Sequence, residues 1–416
     1  MRKTRPALAA AAACLFAVSA CSTTEPEAAG GGDSGDVETG NGVTDSAINI
    51  GVLTDLSGPF AAGAAVQVTQ FQAYWDQVNA DGGICDRDVE MQVQDHAYDP
   101  QKAVSLYRSM SSDVVALQQV LGGPTSAAVL PLADQDGLYL GGMGWSSVVL
   151  GYEVAQMPGA SNSMQAANAV DYAVDELGVE EGSSIGVVYF VGDYGGDSLA
   201  GAEFAAEERG LTVIPQEITP ATTDLSAQAS ALVQEGASAV ILAAAPGQLA
   251  SLAGVLASQG ADIPILGMNP TFNPALLNTP AADALLANAY SFTSIAPYAS
   301  DEPGVQEANA LYSEADPDGA IGWEVPLASA QAKLLRAALE GACEAGDLTP
   351  EGVVAAMREG TDVSTDGLLP DGLDFSTVGE PPTRTVYVSK VSDSAEAGLE
   401  LLDTYEGPSA QSYTFG

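Results

Sequence analysis

The sequence predicts an α/β protein of two lobes, each a parallel sheet with helices on both faces. Two observations carry this. Short apolar runs of strand length alternate with amphipathic segments of helix length, an order that places parallel strands between covering helices. The pattern then restarts near Asn162 without a long linker. The body of about 370 residues is also more than one hydrophobic core usually holds.

The elements follow in order. Ile48–Thr54 reads as a strand ending at Asp55-Leu56-Ser57-Gly58-Pro59, and Val68, Phe71, Trp75 and Val78 then recur at helical spacing. Gly82-Gly83 stops that helix, Val89, Met91 and Val93 alternate as a strand, and Asp99-Pro100 opens a second helix. Val114–Leu121 is a strand, Thr125–Gln135 a helix and Leu138–Leu140 a short strand. In the second unit Asn162–Leu177, Asp197–Arg209, Leu225–Gln234 and Leu249–Gln259 read as helices. They are interleaved with strands at Ser184–Phe190, Leu211–Ile214, Ala239–Ala243 and Ile263–Gly267. Helices follow at Val305–Ala315, at Glu324–Ala342 and after Thr349-Pro350, with a last strand at Thr385–Val391.

Ahead of this body, Arg2, Lys3 and Arg5 precede an alanine-rich apolar run from Ala7 to Val18 and the small residues Ser19 and Ala20. That is the layout of a secretory signal over residues 1–20. Val18-Ser19-Ala20-Cys21 resembles a bacterial lipobox, which implies acylation of Cys21 and a membrane anchor through lipid. Residues 22–44 are rich in Gly, Glu, Asp, Ser and Thr, so they cannot offset their ordering entropy and read as a flexible tether.

The chain carries 55 acidic against 12 basic residues and a formal charge of -43. Nucleic acid is excluded as a partner, because phosphate binding needs the opposite sign. With Cys14 removed in the signal and Cys21 lipidated, Cys85 and Cys343 remain in the body. They read as one disulfide in an oxidising compartment, with two buried free thiols as the alternative. Two cysteines and one histidine give no zinc spacing.

Ligands of open α/β sheets bind beyond the carboxyl ends of the strands. Here those ends are Asp55–Gly58, Gly122–Ser126, Gly141–Ser147, Asp193–Gly196, Ala244–Gly247 and Met268–Thr271. Gly122-Gly123-Pro124-Thr125-Ser126 also opens a helix, whose free amides and positive dipole end suit a carboxylate. No GxGxxG follows a strand, and Walker A, GxSxG and HExxH motifs are missing. The lone His96, after Asp95 at a strand end, reads as a surface or cleft-rim residue rather than a base.

Leu56-Ser57-Gly58-Pro59, Asn79-Ala80-Asp81-Gly82-Gly83-Ile84, Asp95, Asp99-Pro100, Gly122–Ser126, Asp193-Tyr194-Gly195, Asp316-Pro317 and Trp323 stand in that order along residues 46–395. The chain thereby resembles the type I periplasmic binding proteins of the leucine/isoleucine/valine-binding family. The resemblance implies two Rossmann-like lobes joined by a three-crossover hinge and closing on a small solute. Crossovers near Ala160, Ile295 and Arg384 make lobe one 45–160 plus 296–383 and lobe two 161–295 plus 384–416. Cys85 and Cys343 then share lobe one, each placed after a helix. It further implies an extracytoplasmic, monomeric lipoprotein that serves an ABC permease and its ATPase subunits, with no cofactor and no catalysis. A ligand-sensing receptor of the same fold is the alternative.

Residue by residue, the resemblance places Ser126 and Ser146 on a ligand carboxylate, assisted by the backbone of Thr125 and Gly144, and Tyr194 as the lobe-two residue that closes over the ligand. Helix capping by Ser126 and plain packing of Tyr194 are the structural alternatives. Where amino-acid binders of the family carry an acid for the ligand ammonium, this chain has Asn269. An asparagine oxygen accepts hydrogen bonds but supplies no countercharge, and an unpaired buried ammonium costs several kcal/mol. A second lobe-two aromatic aligns with Ala245, which leaves more room. Trp145, Ile321, Trp323 and Glu324 stand close by, Glu324 as a replacement carboxylate. The expected cargo is a small polar or carboxylate-bearing solute, an amino acid or a related amide or organic acid; the family resemblance points to branched-chain amino acids, whereas Asn269 speaks against leucine or valine.

Overall fold

The computed structural model describes residues 37–142 and 144–415. The signal peptide, the Cys21 lipidation site and the first part of the tether lie outside the described residues. The rest of the expected tether belongs to the fold: β1 (Glu38–Thr39) pairs in parallel with a strand at Asp347–Leu348. Backbone pairing holds this segment despite its polar composition, and hydrogen-bonded ladders are blind to side-chain polarity.

The first half of the chain runs β2 (Ala47–Thr54), α1 (Ala61–Ala80), β3 (Asp88–Asp95), α2 (Pro100–Met110), β4 (Ala116–Val120), α3 (Gly123–Gln135), β5 (Tyr139–Gly141) and β6 (Ala155–Gln156). These strands form one all-parallel sheet in the order β3-β2-β4-β5-β6. Phe71, Trp75 and Val78 of α1 are buried as their spacing predicts, while Val68 is half-buried. Asp99 caps α2 by accepting from the amides of Gln101 and Lys102, ahead of Pro100 at the first helical position.

A second sheet takes α4 (Asn162–Asp175), β7 (Ser184–Phe190), α5 (Asp193–Glu208), β8 (Thr212–Ile218), α6 (Ser226–Glu235), β9 (Ala237–Ala243), α7 (Pro246–Ser258), β10 (Ile265–Met268), α8 (Ala282–Asn288) and β11 (Ala289–Thr293). The chain then returns to the first sheet with α9 (Pro303–Ala315), α10 (Glu324–Ala345), β12 (Asp347–Leu348) and α11 (Pro350–Glu359). It ends on the second with β13 (Val386–Val391), β14 (Leu399–Tyr405) and α12 (Pro408–Ser412). The second sheet has the order β14-β13-β11-β10-β9-β7-β8. It is parallel except at β13, which runs antiparallel to both its neighbours. The expected parallel sheets are therefore present, with β13 as the one antiparallel strand among the described residues.

Alternation along the strands assigns the core. Ile185, Val187 and Ile241 pack in one cluster against α4 and α5, while Val188, Val240 and Leu242 pack in another under α6 and α7. Around the first sheet Gln70 reaches from α1 to Ala308 O (3.1 Å) and Ser329 Oγ (2.6 Å), which joins α9 and α10 to α1. The segments that pass between the sheets lie together. Ala160 N donates to Ser294 Oγ at 2.7 Å, and Asn168 Nδ2 donates to Arg384 O at 2.8 Å.

A disulfide joins Cys85 to Cys343. Cys85 follows α1 as expected, but Cys343 lies inside α10, which runs three residues past its expected end. No helix among the described residues is long and apolar enough to cross a membrane, and none of their side chains group to hold a metal.

Candidate functional site

Most candidate residues stand after the carboxyl ends of strands, Thr125 and Ser126 after β4, Gly144, Trp145 and Ser146 after β5, Tyr194 after β7 and Asn269 after β10, while Trp323 and Glu324 follow α9. After β2, the buried Asp55 carboxylate accepts from the amides of Gly58 (2.6 Å) and Phe60 (2.9 Å), which fixes the turn into α1. Asp95 secures the same turn from β3 by accepting from Leu56 N (2.9 Å) and Ser57 Oγ (2.6 Å). The Ser57 hydroxyl and the Leu56 amide hold the Asp95 carboxyl down at about 2. The Phe60 ring then packs on Tyr98 with centroids 4.7 Å apart.

His96 corrects its sequence reading. It is fully buried, and its Nδ1 accepts from Tyr98 N at 3.0 Å. Desolvation pushes its pKa down against the attraction of Asp55, so it serves as a neutral structural acceptor under the Tyr98 turn. That turn brings Tyr98 over Gly122, where any Cβ would stand 2.3 Å from the ring and where φ is +100°. Only glycine meets both conditions.

Gly122 caps α3, and Thr125 and Ser126, both buried, follow in its first turn. The Thr125 hydroxyl donates to Leu121 O and Gly122 O, and the Ser126 hydroxyl donates to Val120 O at 2.7 Å. Both protons are thus committed to the end of β4. The groups left to a ligand here are the amides of Gly123 and Thr125, because Pro124 has none and Ser126 N donates to Gly122 O at 2.9 Å. Ser126→Ala is expected to lower stability by about 1–3 kcal/mol, because Val120 O loses its donor; urea titration of the variant checks this.

In the next loop Gly144 has φ +101°, Trp145 Nε1 donates to Pro158 O at 2.8 Å, and Ser146 is half-buried. On the facing wall Tyr194 sits in the first turn of α5, its hydroxyl buried and without a partner. Burial pushes that hydroxyl's pKa far up. Asn269, 6% exposed, follows β10; its amide N–H reaches Gln165 Oε1 at 3.4 Å, while its Nδ2 is buried without an acceptor. Trp323 and Glu324 begin α10. The Glu324 carboxyl lies against Gly63 in the first turn of α1, and burial pushes its pKa up.

These positions fall into groups rather than one ring. Thr125 and Ser126 start α3, Trp323 and Glu324 meet the start of α1, and Tyr194 and Asn269 belong to the second sheet. Gly144, Trp145 and Ser146 lead to the contact between the two. There Asp197 of α5 accepts from Ser147 N (3.1 Å) and Ser163 N (3.2 Å), and the Ser147 and Ser163 hydroxyls meet at 3.0 Å. Beside this tie lies a cavity of about 480 Å³, lined in part by Ser146, Leu150, Asp193, Asp197 and Phe415. Of the candidate residues only Ser146 lines it. Asp197 was not singled out from sequence, although Asp193 and Asp197 are one helical turn apart. Phe415 gave no signal at all.

Eight large hydrophobic residues are exposed among the described residues; one of them, Val148, lines the cavity beside Ser146.

Comparison with known proteins agrees with this architecture. A fatty acid ABC transporter substrate-binding protein from Thermomonospora curvata superposes with a TM-score of 0.85 at 36% identity, over 91% of this chain and 97% of that one. A branched chain amino acid ABC transporter protein from Thermus thermophilus with bound valine shares the fold, with a TM-score of 0.75 at 16% identity over 89% of this chain and 98% of that one. Leu/Ile/Val-binding protein homolog 3 of Brucella melitensis biotype 1 is 24% identical over 363 residues, 85% of this chain and 94% of that protein. The family described as Periplasmic binding protein matches residues 47–396, and the chain belongs to that family.

Proposed function

We propose that the protein is the lipid-anchored solute-binding component of an ABC importer, and that its cargo is an apolar monocarboxylate without an ammonium group. The observation that carries the cargo class is Asn269. Its buried Nδ2 is a donor with no acceptor, and such a group calls for a carboxylate or carbonyl oxygen. A ligand ammonium would find the Asn269 oxygen there but no countercharge.

Three further features support the reading. The first-turn amides of α3 supply donors and a positive dipole end for the carboxylate. Burial holds the Glu324 carboxyl toward its neutral form, which lessens its repulsion of an anion. The Thermomonospora curvata relative, 36% identical, is named for fatty acids. Residues 45–160 with 296–383, and 161–295 with 384–416, are the lobes that close about the crossovers. The division of the strands between two sheets supports that assignment. Cys21 would carry the lipid and residues beyond it the tether, so that released solute stays near the permease.

A thermal-shift comparison tests the reading. A saturated fatty acid at 100 times its dissociation constant is expected to add about 2.7 kcal/mol of stability, and leucine to add nothing. Stabilisation by leucine alone would refute it.

A further inference from the structure

We propose that Asp197 is a latch that holds the two sheet bodies closed on each other. The proposal rests on the hinge-closure reading above, but not on the cargo class. One carboxylate oxygen carries it. Asp197 Oδ2 accepts from Ser147 N at 3.1 Å and from Ser163 N at 3.2 Å. Ser163 belongs to α4, so that bond stays within the second body. Ser147 belongs to the first, since Val149 and Leu150 of the same short turn pack in the core around the first sheet. The two amides that meet on one oxygen therefore come from different bodies.

Its place in the fold separates this bond from the hinge. Asn162 N also donates to Trp145 O, at 2.7 Å, but Asn162 lies two residues past Ala160 and turns with that crossover. Asp197 reaches across from α5, away from the crossovers near Ala160, Ile295 and Arg384. Tyr194 stands three residues before it in the same helix, and Ser146 directly precedes Ser147. The bond thus holds two candidate residues, one from each body, at a set separation.

The carboxylate depends on these partners. No Lys or Arg lines the cavity beside it, and Ser147 and Ser163 are the groups that favour its charged form against burial. The Ser147 and Ser163 hydroxyls meet at 3.0 Å, and those of Ser161 and Ser163 at 2.8 Å, so a second row of polar contacts runs alongside. When the bodies part, water replaces the Ser147 amide, and only the net value of a charge-assisted hydrogen bond is lost. That is a bias of about tenfold or more on a closed-to-open equilibrium, not a lock.

Ser147→Pro removes the donor between the bodies and leaves the Ser163 amide in place. Ser147 opens the 3-10 turn Ser147–Gly151, and Ser146 before it is extended, with φ -73° and ψ 133°. Proline and the residue ahead of it accept that setting. Asp197→Ala removes the acceptor, whereas Asp197→Asn keeps an amide oxygen there. Small-angle scattering of the full chain, without added ligand, reads closure as the radius of gyration. Ser147→Pro and Asp197→Ala are each expected to lower the closed-to-open ratio by about tenfold or more and so to raise the radius. The double variant is expected to open no further than either single one, and Asp197→Asn less than Asp197→Ala. An unchanged radius in Ser147→Pro, or additive opening in the double variant, would overturn the latch. No ligand enters the measurement, so that failure leaves the solute reading to its own thermal-shift test. If one variant fails to fold by circular dichroism, the other decides.

Discussion

Replacing both Cys85 and Cys343 by serine is expected to lower the unfolding free energy by about 3–5 kcal/mol. The bond closes a loop with a sequence separation of 258 residues, and a cross-link restricts the unfolded chain more as its loop lengthens. Its two Cα atoms stand 6.1 Å apart, inside the usual disulfide range of about 4.4–6.8 Å. In the fold it fastens the loop after α1 to α10, two elements from opposite ends of the sequence that share one core. Denaturant titration of the double-serine variant measures the loss. A difference below about 1 kcal/mol would show that packing alone holds α10 in place.

Asn269→Asp is expected to reduce binding of an apolar monocarboxylate by about a hundredfold or more, because juxtaposed like charges cost several kcal/mol in a buried site. The substitution keeps the shape of the side chain and replaces the unpartnered donor with an acceptor. It changes charge and hydrogen-bonding sense and little else. The same variant is expected to gain measurable affinity for leucine, whose ammonium then finds a countercharge. Titrating both ligands into both proteins checks the exchange. Unchanged acid affinity would remove Asn269 from the site.

Local signals were readable wherever the chain carries them. Asp99-Pro100 and Thr349-Pro350 announced α2 and α11, and both side chains cap as the motifs require. Elements whose stability is tertiary were not. β14 is an edge strand in which no residue is fully buried: Leu399, Leu401 and Tyr405 are half-buried and Glu400, Leu402, Asp403 and Thr404 exposed, so its packed face gives only a weak pattern. In the sequence Asp193–Gly196 reads as a strand-end loop ahead of a helix at Asp197. In the structure Gly195 lies in the helix, and a Cβ there would come within 1.9 Å of Phe190 O. Close packing of helix on strand requires that glycine, against its low helix propensity.

The site divides in the same way. Strand-end loops are predictable because α/β topology fixes where they gather, and Asn269 stood out as a residue of the wrong charge for an amino-acid ligand. The commitment of the Ser126 hydroxyl to Val120 O, the Asp197 tie and the cavity walled by Phe415 depend on contacts between residues far apart in sequence. No periodicity encodes those. His96 shows the converse error: polar neighbours made it look like a rim residue, whereas its imidazole serves as a buried acceptor for the Tyr98 turn.

The central claim is that the cleft holds a carboxylate and has no place for an ammonium. Isothermal titration of dodecanoate and of leucine into the same preparation tests it most directly. Saturable one-to-one binding of dodecanoate with no heat from leucine is the predicted result. Saturable binding of leucine, with none of dodecanoate, would contradict it.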